Sequence, residues 1–142
     1  MVATLSARER KRVRERIASI PISKAFSFRV GEMARGSCEL SMERDTRFDG
    51  IFETIHGGLL MTLADSAAAF AILTIAGAEA RLATIEMSIR FLAPARTRAI
   101  ARAKVLRCGK RIAFCTAEVE DGKGFLLAHA TVTYMILEKR PE

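Results

Sequence analysis

The chain has 142 residues and a formal net charge of +7, and half of its residues are hydrophobic. This length suits one domain with a proper core, and the apolar content excludes a disordered chain. Three cysteines without a close pair and two histidines are too few for a zinc motif, so we expect neither metal nor cofactor. No secretion signal is recognised, and an odd number of cysteines fits a reducing cytoplasm, where we expect the protein to reside.

The chain begins with a predicted basic helix. Ser6–Glu9 has the pattern of a capping box, Val13 and Ile17 follow at helical spacing, and Pro21 closes the segment. We expect residues 1–22 to dock on the surface with their basic face in solvent. The segment lacks both a second helix for a helix-turn-helix and aromatic residues for base stacking, so we expect no nucleic-acid partner.

A hairpin and a long apolar helix come next. Residues 26–42 alternate as two strands around a turn at Ala34-Arg35-Gly36, and a charged loop follows. Leu59–Ala76 is apolar throughout except for Asp65, which predicts a helix wrapped by protein on most sides. It approaches membrane-spanning length, but its alanine content and its lack of aromatic anchors favour a core helix, and we expect no membrane partner.

The last third of the chain alternates with period two. Ile85 and Met87 are predicted to share one strand face, with Thr84 and Glu86 on the other, and Pro94 ends that strand. Further strands are predicted over three segments: 99–106, 111–120 and 125–137. Two strands, one helix and four strands predict an α+β fold, with an antiparallel sheet curled around the central helix.

The start of the long helix and its single carboxylate suggest chemistry on a carbonyl group. His56-Gly57-Gly58 precedes the apolar run, and the first N–H groups of a helix can stabilise a developing negative charge. His56 and Asp65 are nine residues apart, roughly 13 Å and half a turn on a straight helix. If the two features cooperate, two chains must form each site, which predicts a two-fold dimer.

The strings His56-Gly57-Gly58, Leu63-Ala64-Asp65 and Thr84–Pro94 resemble the hotdog-fold acyl-CoA thioesterases of the PaaI (phenylacetate-degradation) type, over residues 48 to 137. The resemblance implies a hotdog fold over residues 24–142, a homodimer that often pairs into a tetramer, and hydrolysis of acyl-CoA without a metal. One departure is that Gly50 and Glu53 stand where the family often has an Asn or Gln and a Gly.

The resemblance also implies roles for individual residues. Gly57 matches the oxyanion-hole amide, and Asp65 matches the carboxylate that activates water or attacks the thioester. Thr84 matches a position that helps to place the water, and His56 matches a positioning histidine. The substrate-binding residues are predicted to be Gly58 and, for the phosphates of CoA, three loop cations: Arg96, Lys110 and Arg111.

Simpler interpretations stay open for these residues. Asp65 can be a core carboxylate with internal partners, His56 a helix cap, and Thr84 an ordinary strand threonine. A non-catalytic acyl-CoA-binding hotdog protein, a hotdog hydratase and a nucleic-acid binder are the competing functions. Four side chains are candidates for the acyl pocket: Leu60, Met61, Phe70 and Phe91.

Overall fold

The computed structural model describes residues 4–138; the predicted domain also includes residues 1–3 and 139–142, which lie outside that range. The helices are α1 (Ala7–Ser19), α2 (Pro21–Ala25) and α3 (Gly57–Ala76). The strands are β1 (Arg29–Ala34), β2 (Ser37–Glu43), β3 (Arg81–Phe91), β4 (Arg98–Cys108), β5 (Ile112–Glu120) and β6 (Leu126–Leu137). The predicted order of helices and strands is confirmed, except that the short helix α2 was not predicted.

The six strands form one antiparallel sheet in the order β1-β2-β4-β5-β6-β3, which curls around α3 in a hotdog fold. Alanines dominate the sheet face that meets the helix, and Ala101, Ala117, Ala128 and Ala130 have no exposed surface. Such small side chains allow the backbone of the sheet to approach the helix closely, which buries an apolar helix without bulky neighbours.

His56 caps the N-terminus of helix α3, because its ring accepts a hydrogen bond from the Gly58 N–H. Gly77 caps the C-terminus, where a φ of 102° favours glycine. Among the described residues it is the one helix long and apolar enough to cross a bilayer, and packing against the sheet accounts for that apolarity. One stripe stays half-buried: Thr62, Asp65, Ser66 and Ala69. Because these positions share a helix face, Asp65 lies on the side of α3 that the sheet does not cover.

Helix α1 docks as predicted, but its basic side chains do not all lie in solvent. Val13 and Ile17 are each 2% exposed, and the capping box at Ser6 is present. Arg14 donates to the carbonyl oxygen of Gly31 at 2.8 Å, and Arg10 donates to that of Met33. The expectation of a fully solvated basic face is therefore wrong, since these guanidinium groups satisfy backbone carbonyls of β1.

Pro21 does more than close α1, because it occupies the first position of the short helix α2. Its missing N–H costs nothing there, since the first N–H groups of a helix have no internal partner. The turn between the two helices brings Ile20 and Ile22 against the open side of α3.

The two edges of the sheet differ. Arginines from α1 cover the backbone of β1, whereas no described residue pairs with the outer edge of β3. Strand β3 is 11 residues long and exposes Ile85 and Phe91 by about half. A long, apolar, unpaired edge of this kind is typical of a strand that pairs with another chain.

A bulge in β3 changes which residues face the helix. Thr84 is paired with Tyr134 and Glu86 with Thr133, so Ile85 is the extra residue in the ladder. Beyond the bulge, Met87 pairs with Val132 and faces the core. The alternation predicted Thr84 and Met87 on opposite faces of the strand, which is wrong because the bulge turns both toward α3.

Candidate active site

The Asp65 carboxylate is held through one of its two oxygens. Thr84 Oγ1 donates to Asp65 Oδ1 at 2.9 Å, and the Tyr134 hydroxyl lies 2.5 Å from the same oxygen. The Tyr134 hydroxyl is also 2.7 Å from the backbone carbonyl oxygen of Asp65. Within residues 4–138, Asp65 Oδ2 has no hydrogen-bond partner. The carboxylate is thus fixed in orientation and keeps one oxygen available for reaction.

Both hydroxyls come from one register position of the sheet. Thr84 and Tyr134 are paired residues on β3 and β6, and the bulge at Ile85 directs Thr84 to the inner face. Burial raises the pKa of Tyr134 well above its ordinary value, and the charge of Asp65 raises it further. The phenol therefore keeps its proton and remains a donor to the carboxylate.

Tyr134 is the residue that the sequence analysis missed. It is the single tyrosine of the chain and is 4% exposed. A usable signal was present in the sequence: Tyr134 alternates with Val132 and Ala130 on the predicted inner face of β6, and a buried phenol needs a hydrogen-bond acceptor. The carboxylate of α3 is the acceptor that lies within reach.

The start of α3 leaves one backbone donor free. His56 Nδ1 accepts the Gly58 N–H at 2.8 Å, so the histidine is the helix cap and the Gly58 amide is occupied. The Gly57 N–H has no acceptor among residues 4–138. A Cβ at Gly57 would meet the ring of Phe91 at 3.4 Å, which places this donor beside the far end of β3.

The loop before α3 is closed by an ion pair. Arg44 donates to both carboxylate oxygens of Asp49, at 2.9 and 2.5 Å, which lowers the pKa of Asp49 below its ordinary value. Asp49 also pairs with Ile55 in a β-bridge. Gly50, where the family often has an amide side chain, packs against His56, and Glu53 is exposed. The Asp49 carboxylate is therefore occupied by Arg44 and does not take the place of the amide side chain that the family often has at the position of Gly50.

One protomer does not bring all the predicted residues together. Gly57 and Asp65 lie on the same straight helix, about 12 Å apart along its axis at 1.5 Å per residue. Arg96 and the pair Lys110–Arg111 flank opposite ends of β4, which is 11 residues long and spans about 35 Å. The Ala95 carbonyl accepts the Ile55 N–H, so Arg96 lies at the Gly57 end, whereas the Arg111 carbonyl accepts from Ile136, near the Asp65 end.

A cavity of about 270 Å³ lies beside Asp65. Phe70 lines it, together with residues of β3 and of the junction between α1 and α2. In one protomer, Leu60 is buried in the core, Met61 is exposed and Phe91 covers Gly57. An acyl pocket formed by these four side chains from both subunits stays a prediction.

The cysteines are poor nucleophiles in this structure. Burial raises the pKa of Cys115 to about 12 and also raises the pKa of Cys108. A thiol with such a pKa is almost entirely protonated at neutral pH, and the thiolate is the nucleophile in cysteine chemistry. Neither thiol is therefore a candidate nucleophile at neutral pH.

The fold agrees with a match to known proteins. The model of the thioesterase superfamily matches residues 52–128, more than half of the chain, and the chain belongs to this family. The matched segment includes α3 with Asp65 and the whole of β3.

Individual relatives extend the likeness to most of the chain. A thioesterase family protein from Silicibacter pomeroyi has 29% sequence identity and a TM-score of 0.85, over 92% of this chain and 99% of that one. The PaaI protein of the phenylacetic acid degradation operon of Escherichia coli shares the fold, with a TM-score of 0.85 over 94% and 96% of the two chains at 20% identity. A Thermoplasma acidophilum protein, provisionally named an esterase, is 26% identical over 78% of this chain and 84% of its own length.

Proposed function

We propose that this protein is a PaaI-type acyl-CoA thioesterase that hydrolyses a CoA thioester to a free acid and CoA in the cytoplasm. The observation that carries the proposal is the state of Asp65, whose Oδ1 is bound by two hydroxyls while Oδ2 has no described partner. A carboxylate held in this way is suited to act on a reactive carbonyl group. Membership of the thioesterase superfamily gives the class of bond that is cleaved.

Each active site is proposed to be formed by residues of two chains. Strand β3 carries Thr84, which contacts Asp65, and Phe91, which covers Gly57. If two β3 edges pair antiparallel about a two-fold axis near Met87, Thr84 of one protomer lies opposite Phe91 of its partner. The free Gly57 N–H of one chain then approaches the carboxylate of the other. A homodimer of this kind, itself able to pair into a tetramer, gives two equivalent sites.

In this arrangement the thioester carbonyl lies between the Gly57 N–H and Asp65 Oδ2. As a general base, Oδ2 takes a proton from water, and the hydroxide adds to the carbonyl carbon. The oxyanion that forms accepts the Gly57 N–H, and the intermediate collapses with loss of the CoA thiolate. As a nucleophile, Oδ2 itself attacks the carbonyl carbon, the C–S bond breaks with loss of the CoA thiolate, and water then hydrolyses the mixed anhydride. Thr84 and Tyr134 hold Oδ1 in both cases.

The phosphates of CoA are proposed to meet loop cations from both chains. Arg96 lies at the Gly57 end of its protomer, and Lys110 and Arg111 lie at the Asp65 end of theirs. The proposed two-fold axis brings these opposite ends together at one site. All three side chains are exposed, and Arg111 would have to exchange its ion pair with Glu138, at 3.3 Å, for a phosphate.

The first experiment is a panel of CoA thioesters with release of the free thiol as the readout. Asp65→Asn is expected to abolish turnover while keeping the fold, because an amide oxygen still accepts from Thr84 and Tyr134. Asp121→Asn, in the exposed turn after β5, is the matched control and should keep full activity. Tight binding of acyl-CoA without any turnover would instead favour the non-catalytic acyl-CoA-binding protein, which the absent amide at Gly50 makes the second candidate.

A mixing experiment tests the shared site. Gly57→Pro and Asp65→Asn are each expected to be inactive alone. In a mixed dimer, one site has an intact Gly57 from one chain and an intact Asp65 from the other. Half of the randomly assembled dimers are mixed and each has one good site, so about a quarter of wild-type activity should return. No recovery, with mixed dimers shown to be present, would mean that each chain works alone.

A further inference from the structure

The cavity beside Asp65 has a polar end and an apolar end. Asp65, Thr84 and Tyr134 form the polar end, where the proposed reaction takes place. Away from them the wall is built mainly from aliphatic and aromatic side chains. These belong to three elements: Phe70 and Leu73 of α3, Leu82 of β3, and Ile20 and Ile22 at the junction of α1 and α2.

We propose that this cavity binds the acyl group of the thioester, and that the junction of α1 and α2 limits the length of that group; the inference rests on the proposed function. The N-terminal segment would then be part of the substrate site rather than only a cover for β1. The matched thioesterase segment begins at residue 52, so the part of the wall formed by Ile20 and Ile22 lies outside it.

The chemistry of the wall favours the acyl group over the pantetheine arm of CoA. Pantetheine carries amide groups, and an amide that enters an apolar cavity without partners loses its hydrogen bonds to water. Beyond the polar end, Arg16 and Ser66 are the polar side chains in the wall. Arg16 already donates to the Ala78 carbonyl at 2.7 Å, and its positive charge disfavours a cationic acyl group. An uncharged hydrocarbon chain or ring fits this lining best.

The volume of the cavity sets the size of the group. An apolar cavity of about 150 Å³ holds one benzene ring, so a cavity of about 270 Å³ holds roughly ten carbon-sized groups, some of them at the polar end. An acyl chain of about six to eight carbons, or a phenyl ring on a short chain, fills this space. A chain of sixteen carbons exceeds it, and an acetyl group leaves most of it empty.

Ile22 is the most informative side chain of the junction. It is half-buried and lines the cavity, but it is not among the described side chains that pack against the core. Ile20, its neighbour across Pro21, does pack against the core. Substitution of Ile22 should therefore change the size of the cavity while leaving the core intact.

The test is the dependence of binding and hydrolysis on acyl length. Straight-chain acyl-CoA thioesters of two to sixteen carbons are assayed for kcat/KM, and the matching non-hydrolysable acyl-CoA thioethers are assayed for Kd. In the wild type, kcat/KM should rise about fourfold per methylene up to about eight carbons and then fall. Ile22→Ala should move the optimum two to three carbons longer, and Ile22→Phe should move it shorter. Ile75→Phe, at a part-exposed position outside this cavity, is the matched control and should leave the optimum unchanged.

The two readouts separate this inference from the function on which it rests. If thioesters are not hydrolysed but the Kd of the thioethers follows chain length and responds to Ile22, the acyl site stands and the proposed catalysis fails. If hydrolysis proceeds with an optimum that neither Ile22 variant moves, or if Ile75→Phe moves it equally, the acyl-site assignment is wrong.

Discussion

Gly57→Pro removes one hydrogen-bond donor and little else. Gly57 is the first residue of α3, where proline is favoured because the N–H has no partner within the helix. Proline also restricts the residue before it to extended conformations, and His56 already has φ −53° and ψ 132°. The new Cβ meets the half-exposed ring of Phe91 at 3.4 Å, where the ring can adjust. The variant should therefore fold with nearly wild-type stability.

The expected loss of kcat follows from the proposed role of the Gly57 N–H as the oxyanion donor. Loss of one donor to a developing oxyanion costs about 10²–10³ in kcat, or about 2.7–4 kcal/mol. Gly57→Ala is the control, because it introduces the same Cβ contact and keeps the N–H. Steady-state thiol release should thus fall at least a hundredfold further in the proline variant than in the alanine variant. If the two variants turn over at similar rates, the Gly57 amide is not the oxyanion donor.

Three other substitutions test contacts described above. Tyr134→Phe should lower kcat about tenfold with little change in KM. The reason is that Asp65 loses a charge-assisted hydrogen bond, which is worth about 1.5–3 kcal/mol. If Tyr134 has a purely structural role, the variant will instead have a lower Tm and an unchanged kcat per folded enzyme. Thr74→Val should cost about 1–3 kcal/mol in denaturant unfolding, since its hydroxyl accepts the Gly36 N–H at 2.7 Å, whereas Thr74→Ser should cost less. Asp49 has a pKa below 3.8 when folded, so its contribution to stability is present above that pH and is lost as the pH falls through the folded pKa. The difference in Tm between wild type and Asp49→Asn should therefore be constant near neutral pH and shrink below about pH 4, and a pH-independent difference would contradict the ion pair.

The order of helices and strands could be predicted because each segment has one clear period. The apolar run before Gly77 reads as a buried helix, and the strands after it alternate with period two. The sequence also pointed to Asp65 and Gly57, since a charge in an apolar helix and glycines at a helix start are local features. Their proposed cooperation across two chains stays a prediction.

Features that depend on contacts between distant segments could not be predicted. Thr84 and Met87 were predicted on opposite faces because a bulge adds one residue to β3, and the alternation does not show where the pairing of the strands shifts. The bonds from Arg10 and Arg14 to β1 were missed because their acceptors are backbone carbonyls, which carry no sequence signal. The lining of the cavity could not be predicted in full, since Arg16, Ile20 and Ile22 come from a helix junction far from α3 in the chain.

The arginines of α1 also have a consequence for how many copies of the chain can associate. A sheet with two unpaired edge strands can pair with further molecules at both edges, and such association is open-ended. Among residues 4–138, guanidinium groups already occupy carbonyls along β1, while the outer edge of β3 has no partner. We expect a sheet with a single free edge to stop growing once two copies have paired. We therefore predict that loss of the N-terminal helix opens the β1 edge to further pairing.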